Sequence, residues 1–69
     1  MKISARNGLK GVVKKVIDGQ VSTEVIIELA PGIEVTSIIT KSSAENLHLA
    51  EGKEVYAIVK ATDVMIGVD

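Results

Sequence analysis

A strict alternation of side chains between Val21 and Leu29 constrains the fold more than any other feature of the chain. One set of alternate positions is aliphatic or β-branched: Val21, Thr23, Val25, Ile27 and Leu29. The intervening residues are polar apart from Ile26, which is a candidate interface residue. A period of two puts successive side chains on opposite faces of a β-strand. The segment therefore predicts a strand with one buried face.

Comparable runs rich in valine and isoleucine occupy most of the chain and predict an all-β fold. In chain order the predicted strands are Leu9–Ile17, Val21–Leu29, Ile33–Thr40, Glu54–Lys60 and Val64–Val68. Asp18-Gly19-Gln20 predicts a turn in which the Asp-Gly pair favours positive φ. Ala30-Pro31-Gly32 predicts a second turn, because proline sets φ and glycine accepts a left-handed conformation.

Residues 42–47 interrupt the strand pattern. Ser42 with Glu45 three residues later has the spacing of a capping box, which predicts a single helical turn. Five strands with one helical turn between the third and the fourth are typical of the OB-fold, a five-stranded Greek-key barrel. We expect residues 1–69 to form a single domain of this kind.

The composition predicts self-association. The chain has 69 residues, of which 46% are hydrophobic, with no Phe, Trp or Cys. A core of this size supplies only about 3–5 kcal/mol, and disulfides are excluded. Because the aliphatic residues exceed what one small interior can hide, we expect exposed apolar patches that form the interfaces of a closed homo-oligomer.

Several functional classes are disfavoured by composition. OB-folds bind single-stranded nucleic acid through aromatic side chains along a basic groove, but Tyr56 is the only aromatic residue and the formal net charge is −1. We expect no catalytic residues, because there is one histidine, His48, no cysteine and no phosphate-binding loop. His48 alone cannot form a metal site. No membrane span or signal peptide is expected, which favours the cytoplasm.

Three short segments concentrate hydrogen-bond donors suited to an anion: Ser4-Ala5-Arg6-Asn7, Thr40-Lys41-Ser42-Ser43-Ala44 and Lys60-Ala61-Thr62. The second lies where a strand leads into the helical turn, whose first N–H groups are unpaired. Each segment also has a structural explanation: Arg6 pairing with a surface glutamate, a serine cap, and an exposed lysine. Their occurrence together favours an anion site.

The same segments resemble the motifs of the molbindin family, small molybdate-binding proteins built from a transport-associated OB domain. The opening, middle and closing motifs are similar to Ser4-Ala5-Arg6-Asn7-x-Leu9-x-Gly11, Ile39-Thr40-x-x-Ser43 and Val59–Ile66. The resemblance covers essentially the whole chain. Two departures are Gly8, where relatives often carry a longer polar residue, and Ala61, where many have serine.

The resemblance implies a hexamer, built as a trimer of dimers, with oxyanion sites between subunits. One subunit would contribute Ser4, Ala5, Arg6, Lys60 and Ala61, and its neighbour Thr40 and Ser43. The implied ligand is molybdate or tungstate, with no covalent cofactor and no other metal. The implied role is cytoplasmic storage and homeostasis, without catalysis. An OB-type nucleic-acid-binding module and an anion-dependent regulatory interaction module remain the alternatives.

Overall fold

One antiparallel sheet organises the chain. The computed structural model describes all 69 residues, and its four strands are β1 (Asn7–Asp18), β2 (Ser22–Ala30), β3 (Ile33–Thr40) and β4 (Glu54–Val59). A short helix, α1 (Lys41–Asn46), connects β3 to β4, and a turn of 3-10 helix (Ala61–Asp63) follows β4. The predicted all-β class, the first four strands and the position of the helix are confirmed.

The sheet is strongly curled into a half-barrel with the strand order β3-β2-β1-β4. The central strand β1 pairs with β2 from Val12 to Asp18 and with β4 from Asn7 to Val12. Its pairing with β2 is irregular between Val13 and Lys15, and such a bulge increases local twist and bend. The curl brings the edge strands β3 and β4 to opposite sides of one cavity, but the two strands do not pair.

A small aliphatic core lies on the concave face of the sheet. Its buried members are Val13, Val25, Ile27 and Ala57. Partly buried aliphatic residues surround them: Val16, Leu29, Ile39, Leu49 and Val55. The alternation predicted for the second strand is therefore confirmed at its centre. Val21 is different, with 80% of its surface exposed, because it lies in the turn before β2 begins.

The predicted fifth strand, Val64–Val68, is not formed within the single chain. The 3-10 turn after β4 leads the chain away from the sheet, so these residues have no strand beside them. Met65, Ile66 and Val68 are each more than 90% exposed. The chain thus forms a four-stranded half-barrel in place of the predicted five-stranded Greek-key barrel.

The two predicted hairpin turns differ in outcome. Pro31 and Gly32 connect β2 to β3, and Gly32 has φ of +80°, as predicted. The turn after Asp18 is present, but the predicted positive φ at Gly19 is wrong. Three residues separate β1 from β2 there, and the Gly19 N–H donates to the carbonyl of Ser22 at 2.8 Å, so a two-residue turn is not needed.

Cross-strand ion pairs cover the outer face of the sheet. Lys14 contacts Glu34 and Glu28, and Lys10 lies 3.4 Å from Glu54. The hydrogen bond and negative charge of Glu34 raise the pKa of Lys14 above 10.5. A raised lysine pKa gives stabilisation that is complete below pH 10.5 and is lost as the pH rises through the raised value. The pairs are exposed, so each contributes little.

Gly11 permits the close approach of β1 to β2. A Cβ atom at this position would lie 2.7 Å from Cγ2 of Ile27 and 2.8 Å from the carbonyl oxygen of Glu28. We predict that Gly11→Ala destabilises the protein by about 1–3 kcal/mol, the usual range for overpacking. Gly8→Ala is the matched control, because no atom lies within 4 Å of its Cβ position. Equal midpoints of urea unfolding for the two variants would contradict the requirement for glycine at the contact between β1 and β2.

Candidate anion-binding site

The pairing of β1 with β4 brings the first and third donor segments together. Asn7, the first residue of β1, pairs with Val59, the last residue of β4. Residues before Asn7 and after Val59 therefore lie side by side at one end of the half-barrel. They enclose a cleft of about 210 Å³ that is lined by Ser4, Ala5, Arg6, Lys60, Ala61 and Thr62. Five of the seven predicted site residues thus share one cleft.

The cleft is cationic and contains no carboxylate. Its lining includes the guanidinium of Arg6 and the ammonium of Lys60. Lys10 and Lys14 are the only positively charged residues in the salt bridges of the chain, so Arg6 and Lys60 pair with no carboxylate. The alternative explanation for Arg6, that it pairs with a surface glutamate, is therefore wrong. Two uncompensated positive charges beside a serine hydroxyl favour an anion, because arginine and lysine offer only hydrogen-bond donors.

The backbone after β4 also offers donors to the cleft. The 3-10 turn is closed by the Asp63 N–H, which donates to the carbonyl of Lys60 at 2.9 Å. The N–H groups of Ala61 and Thr62 are not donors in the turn or loop hydrogen bonds. Ala61 lacks a hydroxyl, so its contribution to the cleft is limited to its backbone.

The second donor segment lies at the opposite end of the half-barrel. Thr40, the last residue of β3, pairs with Ser22, and the adjacent Thr23 pairs with Asp18, the last residue of β1. The 12 residues of β1 separate this end from Asn7, which at ~3.3 Å per residue is on the order of 35 Å of extended backbone. A single chain therefore does not bring Thr40 and Ser43 to the cleft of Arg6 and Lys60.

Thr40 and Ser43 form the N-terminal cap of α1. The Thr40 Oγ1 atom accepts a hydrogen bond from the Ser43 N–H at 3.1 Å and donates to the Ser43 Oγ at 2.7 Å. The predicted Ser42–Glu45 capping box is wrong. The helix begins at Lys41, one residue before Ser42, because the pairing of β3 with β2 ends at Thr40 and the Thr40 side chain caps the chain there.

Thr62 is a cleft residue to which the sequence analysis gave no role. Its place in the third donor segment, beside Ala61, was the signal. His48 lies in the turn after α1, with φ of +52°. No three histidine, cysteine, aspartate or glutamate side chains come together as metal ligands. None of the helices combines the length and the apolar character needed to cross a membrane.

Comparison with known proteins agrees with this arrangement of motifs. Residues 3–66 match the model of the TOBE domain. The chain belongs to the TOBE family. Molybdenum-pterin-binding protein 3 of Clostridium pasteurianum is 54% identical over 66 residues, which are 96% of this chain and 97% of that protein.

Solved structures of molybdate-binding proteins share this TOBE fold. The molybdate-binding protein of Sporomusa ovata superposes with a TM-score of 0.91 at 37% identity, covering 99% of this chain and all of that one. The cytoplasmic molybdate-binding protein ModG, solved with molybdate bound, superposes with a TM-score of 0.93 at 40% identity. All of the present chain matches 49% of ModG, about half its length.

The cap at Thr40 generates a test that separates it from Ser42. We predict that Thr40→Ala lowers the free energy of unfolding by about 1 kcal/mol, because it removes the side-chain acceptor of the Ser43 N–H. Ser42→Ala, the control, leaves that acceptor in place and changes stability by less than about 0.5 kcal/mol. Thermal unfolding followed by circular dichroism compares the two. A larger loss of unfolding free energy in the Ser42 variant would support the Ser42–Glu45 capping box predicted from the sequence.

Proposed function

We propose that this protein binds molybdate, and tungstate in the same way, at the cleft where the two ends of the chain meet. The proposal depends on one observation: Ser4, Arg6 and Lys60 line the same cleft, and no carboxylate lines it. The names of the relatives and of the matching structures, which specify molybdenum-pterin or molybdate, support the same ligand.

The chemistry of the cleft suits an oxyanion that carries no proton. Molybdate at neutral pH is a tetrahedral dianion whose four oxygens only accept hydrogen bonds. Arg6 and Lys60 supply only donors, and the Ser4 hydroxyl and the N–H groups of Ala5 and Ala61 can each donate. The proton of hydrogenphosphate finds no acceptor in Arg6, Lys60 or the backbone N–H groups, so this anion is matched less well than one without a proton. Discrimination against sulfate requires a cavity of the right size, and two subunits together would set that size.

Thr40 and Ser43 of a neighbouring subunit complete the site in this proposal. The two donor groups lie at opposite ends of one half-barrel, so a shared site requires two chains. The Ser43 hydroxyl accepts from Thr40 and keeps its own proton for a ligand, whereas the Thr40 hydroxyl would turn its proton from Ser43 Oγ to the ligand while still accepting from the Ser43 N–H. The proposed assembly is a homohexamer built as a trimer of dimers, with sites between subunits.

The C-terminal residues provide a contact for this assembly. Val64–Val68 is the segment predicted as a fifth strand, and its side chains are exposed in the single chain. Strands β3 and β4 face one cavity, lined mostly by hydrophobic residues, and their outer edges remain unpaired. Addition of this segment to a strand edge of another subunit would bury its side chains and complete a five-stranded barrel. Exposed strand edges readily accept such a partner.

The proposed role is storage and homeostasis of the oxyanion in the cytoplasm, by a binding protein without catalytic activity. The cleft offers positively charged donors but no nucleophile activated by a neighbouring base. The description of the matching ModG as cytoplasmic supports this location. Residues 1–69 act as one binding domain in this proposal, and no nucleic acid or membrane takes part.

Removal of either cleft charge tests the site. We predict that Arg6→Ala and Lys60→Ala each weaken molybdate binding roughly 10- to 150-fold, because a hydrogen bond to a charged group contributes about 1.5–3 kcal/mol. Isothermal titration calorimetry measures the change, and phosphate should give no heat. Lys15→Ala is the control, since it removes an exposed charge that lies in no salt bridge. Wild-type affinity in both cleft variants would place the site elsewhere.

The proposed assembly has its own test. Native mass spectrometry of the full chain should give six subunits, and metal analysis of the same sample should detect molybdenum after incubation with molybdate and dialysis. Deletion of residues 64–69 should yield smaller species, because it removes the segment proposed to join subunits. A monomer that retains stoichiometric molybdenum would refute the shared site, and a hexamer formed by the deletion variant would refute the role of the tail.

A further inference from the structure

The wall of the cleft that follows β4 contains one hydroxyl group, that of Thr62. Three consecutive residues, Lys60, Ala61 and Thr62, line this wall. The methyl group of Ala61 has no polar atom, so the side-chain donors of the wall are the Lys60 ammonium and the Thr62 hydroxyl. Ser4 and Arg6, from the segment before β1, line the rest of the cleft together with Ala5.

The Thr62 hydroxyl is free to meet a ligand. The side-chain hydrogen bonds of the chain involve Thr23 and Thr40 among its threonines, and none involves Thr62. The residue is exposed and borders the cleft. Its backbone is held at the same time, because the N–H groups of Asp63 and Val64 donate to the carbonyls of Lys60 and Ala61. The Thr62 hydroxyl is thus unpaired, while backbone hydrogen bonds hold the turn that carries it.

We propose that Thr62 is a ligand-binding residue, which donates a hydrogen bond to an oxygen of the bound oxyanion in place of the hydroxyl that Ala61 lacks. This inference rests on the proposed function. A tetrahedral dianion presents four oxygens, each of which accepts hydrogen bonds, so it can engage donors beyond Arg6 and Lys60. A β-branched side chain has few χ1 rotamers, so Thr62 loses little conformational freedom when its hydroxyl engages the ligand.

Isosteric replacement tests this role. Thr62→Val keeps the shape and branching of the side chain and removes only the hydroxyl. We expect molybdate binding, measured by titration calorimetry on the intact oligomer, to weaken roughly tenfold or more. Lys15→Ala is again the control, since Lys15 is exposed and lies outside the cleft. It should bind with wild-type affinity.

A second pair of variants separates the contribution of the Thr62 hydroxyl from that of its methyl group. Thr62→Ser and Thr62→Ala both lose the methyl group and differ only in the hydroxyl. The serine variant should bind within about threefold of wild type and the alanine variant roughly tenfold more weakly. Ala61→Ser introduced into the Thr62→Val chain should recover most of the lost affinity, because it returns a hydroxyl to the same wall.

The outcomes separate this inference from the function on which it rests. Absence of molybdate binding by the wild-type protein would overturn both. Wild-type binding that is weakened by Arg6→Ala but unchanged by Thr62→Val would overturn the role of Thr62 and leave the site intact. Equal affinities of Thr62→Ser and Thr62→Ala would do the same. Loss on removal of the hydroxyl, with recovery by Ala61→Ser, would support the assignment.

Discussion

The antiparallel pairing of β1 with β4 is the interaction on which the site depends. Its first rung joins Asn7 to Val59, and this rung places the residues before β1 beside those after β4. Without it, Arg6 and Lys60 would be separated by more than 50 residues of chain. Their like charges repel each other, so the backbone hydrogen bonds of the ladder must hold them together. The site is therefore a consequence of sheet register.

The same sheet leaves much of the apolar surface of one chain uncovered. Only seven of the 69 residues are buried, and the central core contains four aliphatic side chains. A half-barrel with so small an interior leaves Met65, Ile66 and Val68 in solvent and two strand edges unpaired. Aliphatic exposure on this scale favours burial against another copy. In the proposed assembly, the contacts that would cover this apolar surface would also bring together the donors from opposite ends of the half-barrel.

Part of the secondary structure was predictable from local patterns in the sequence. The alternation in β2 and the Pro31-Gly32 turn depend on neighbouring residues and were confirmed. The capping box at Ser42 was wrong because the pairing of β3 with Ser22, a residue distant in sequence, ends at Thr40 and makes Thr40 the N-cap. The fifth strand was wrong in the single chain for a related reason. Residues 64–68 have strand-forming side chains, but a strand exists only beside another strand.

By itself, the sequence determined the all-β class, the identity of the donor residues and the family resemblance, because side-chain period, donor chemistry and motif order are properties of the linear chain. Only the tertiary structure decided which donors meet. It put Arg6 and Lys60 in one cleft, added Thr62 to that cleft and placed Thr40 at the other end. The physical reason is that strand register and sheet curl arise from pairing between distant residues, and no local pattern specifies them.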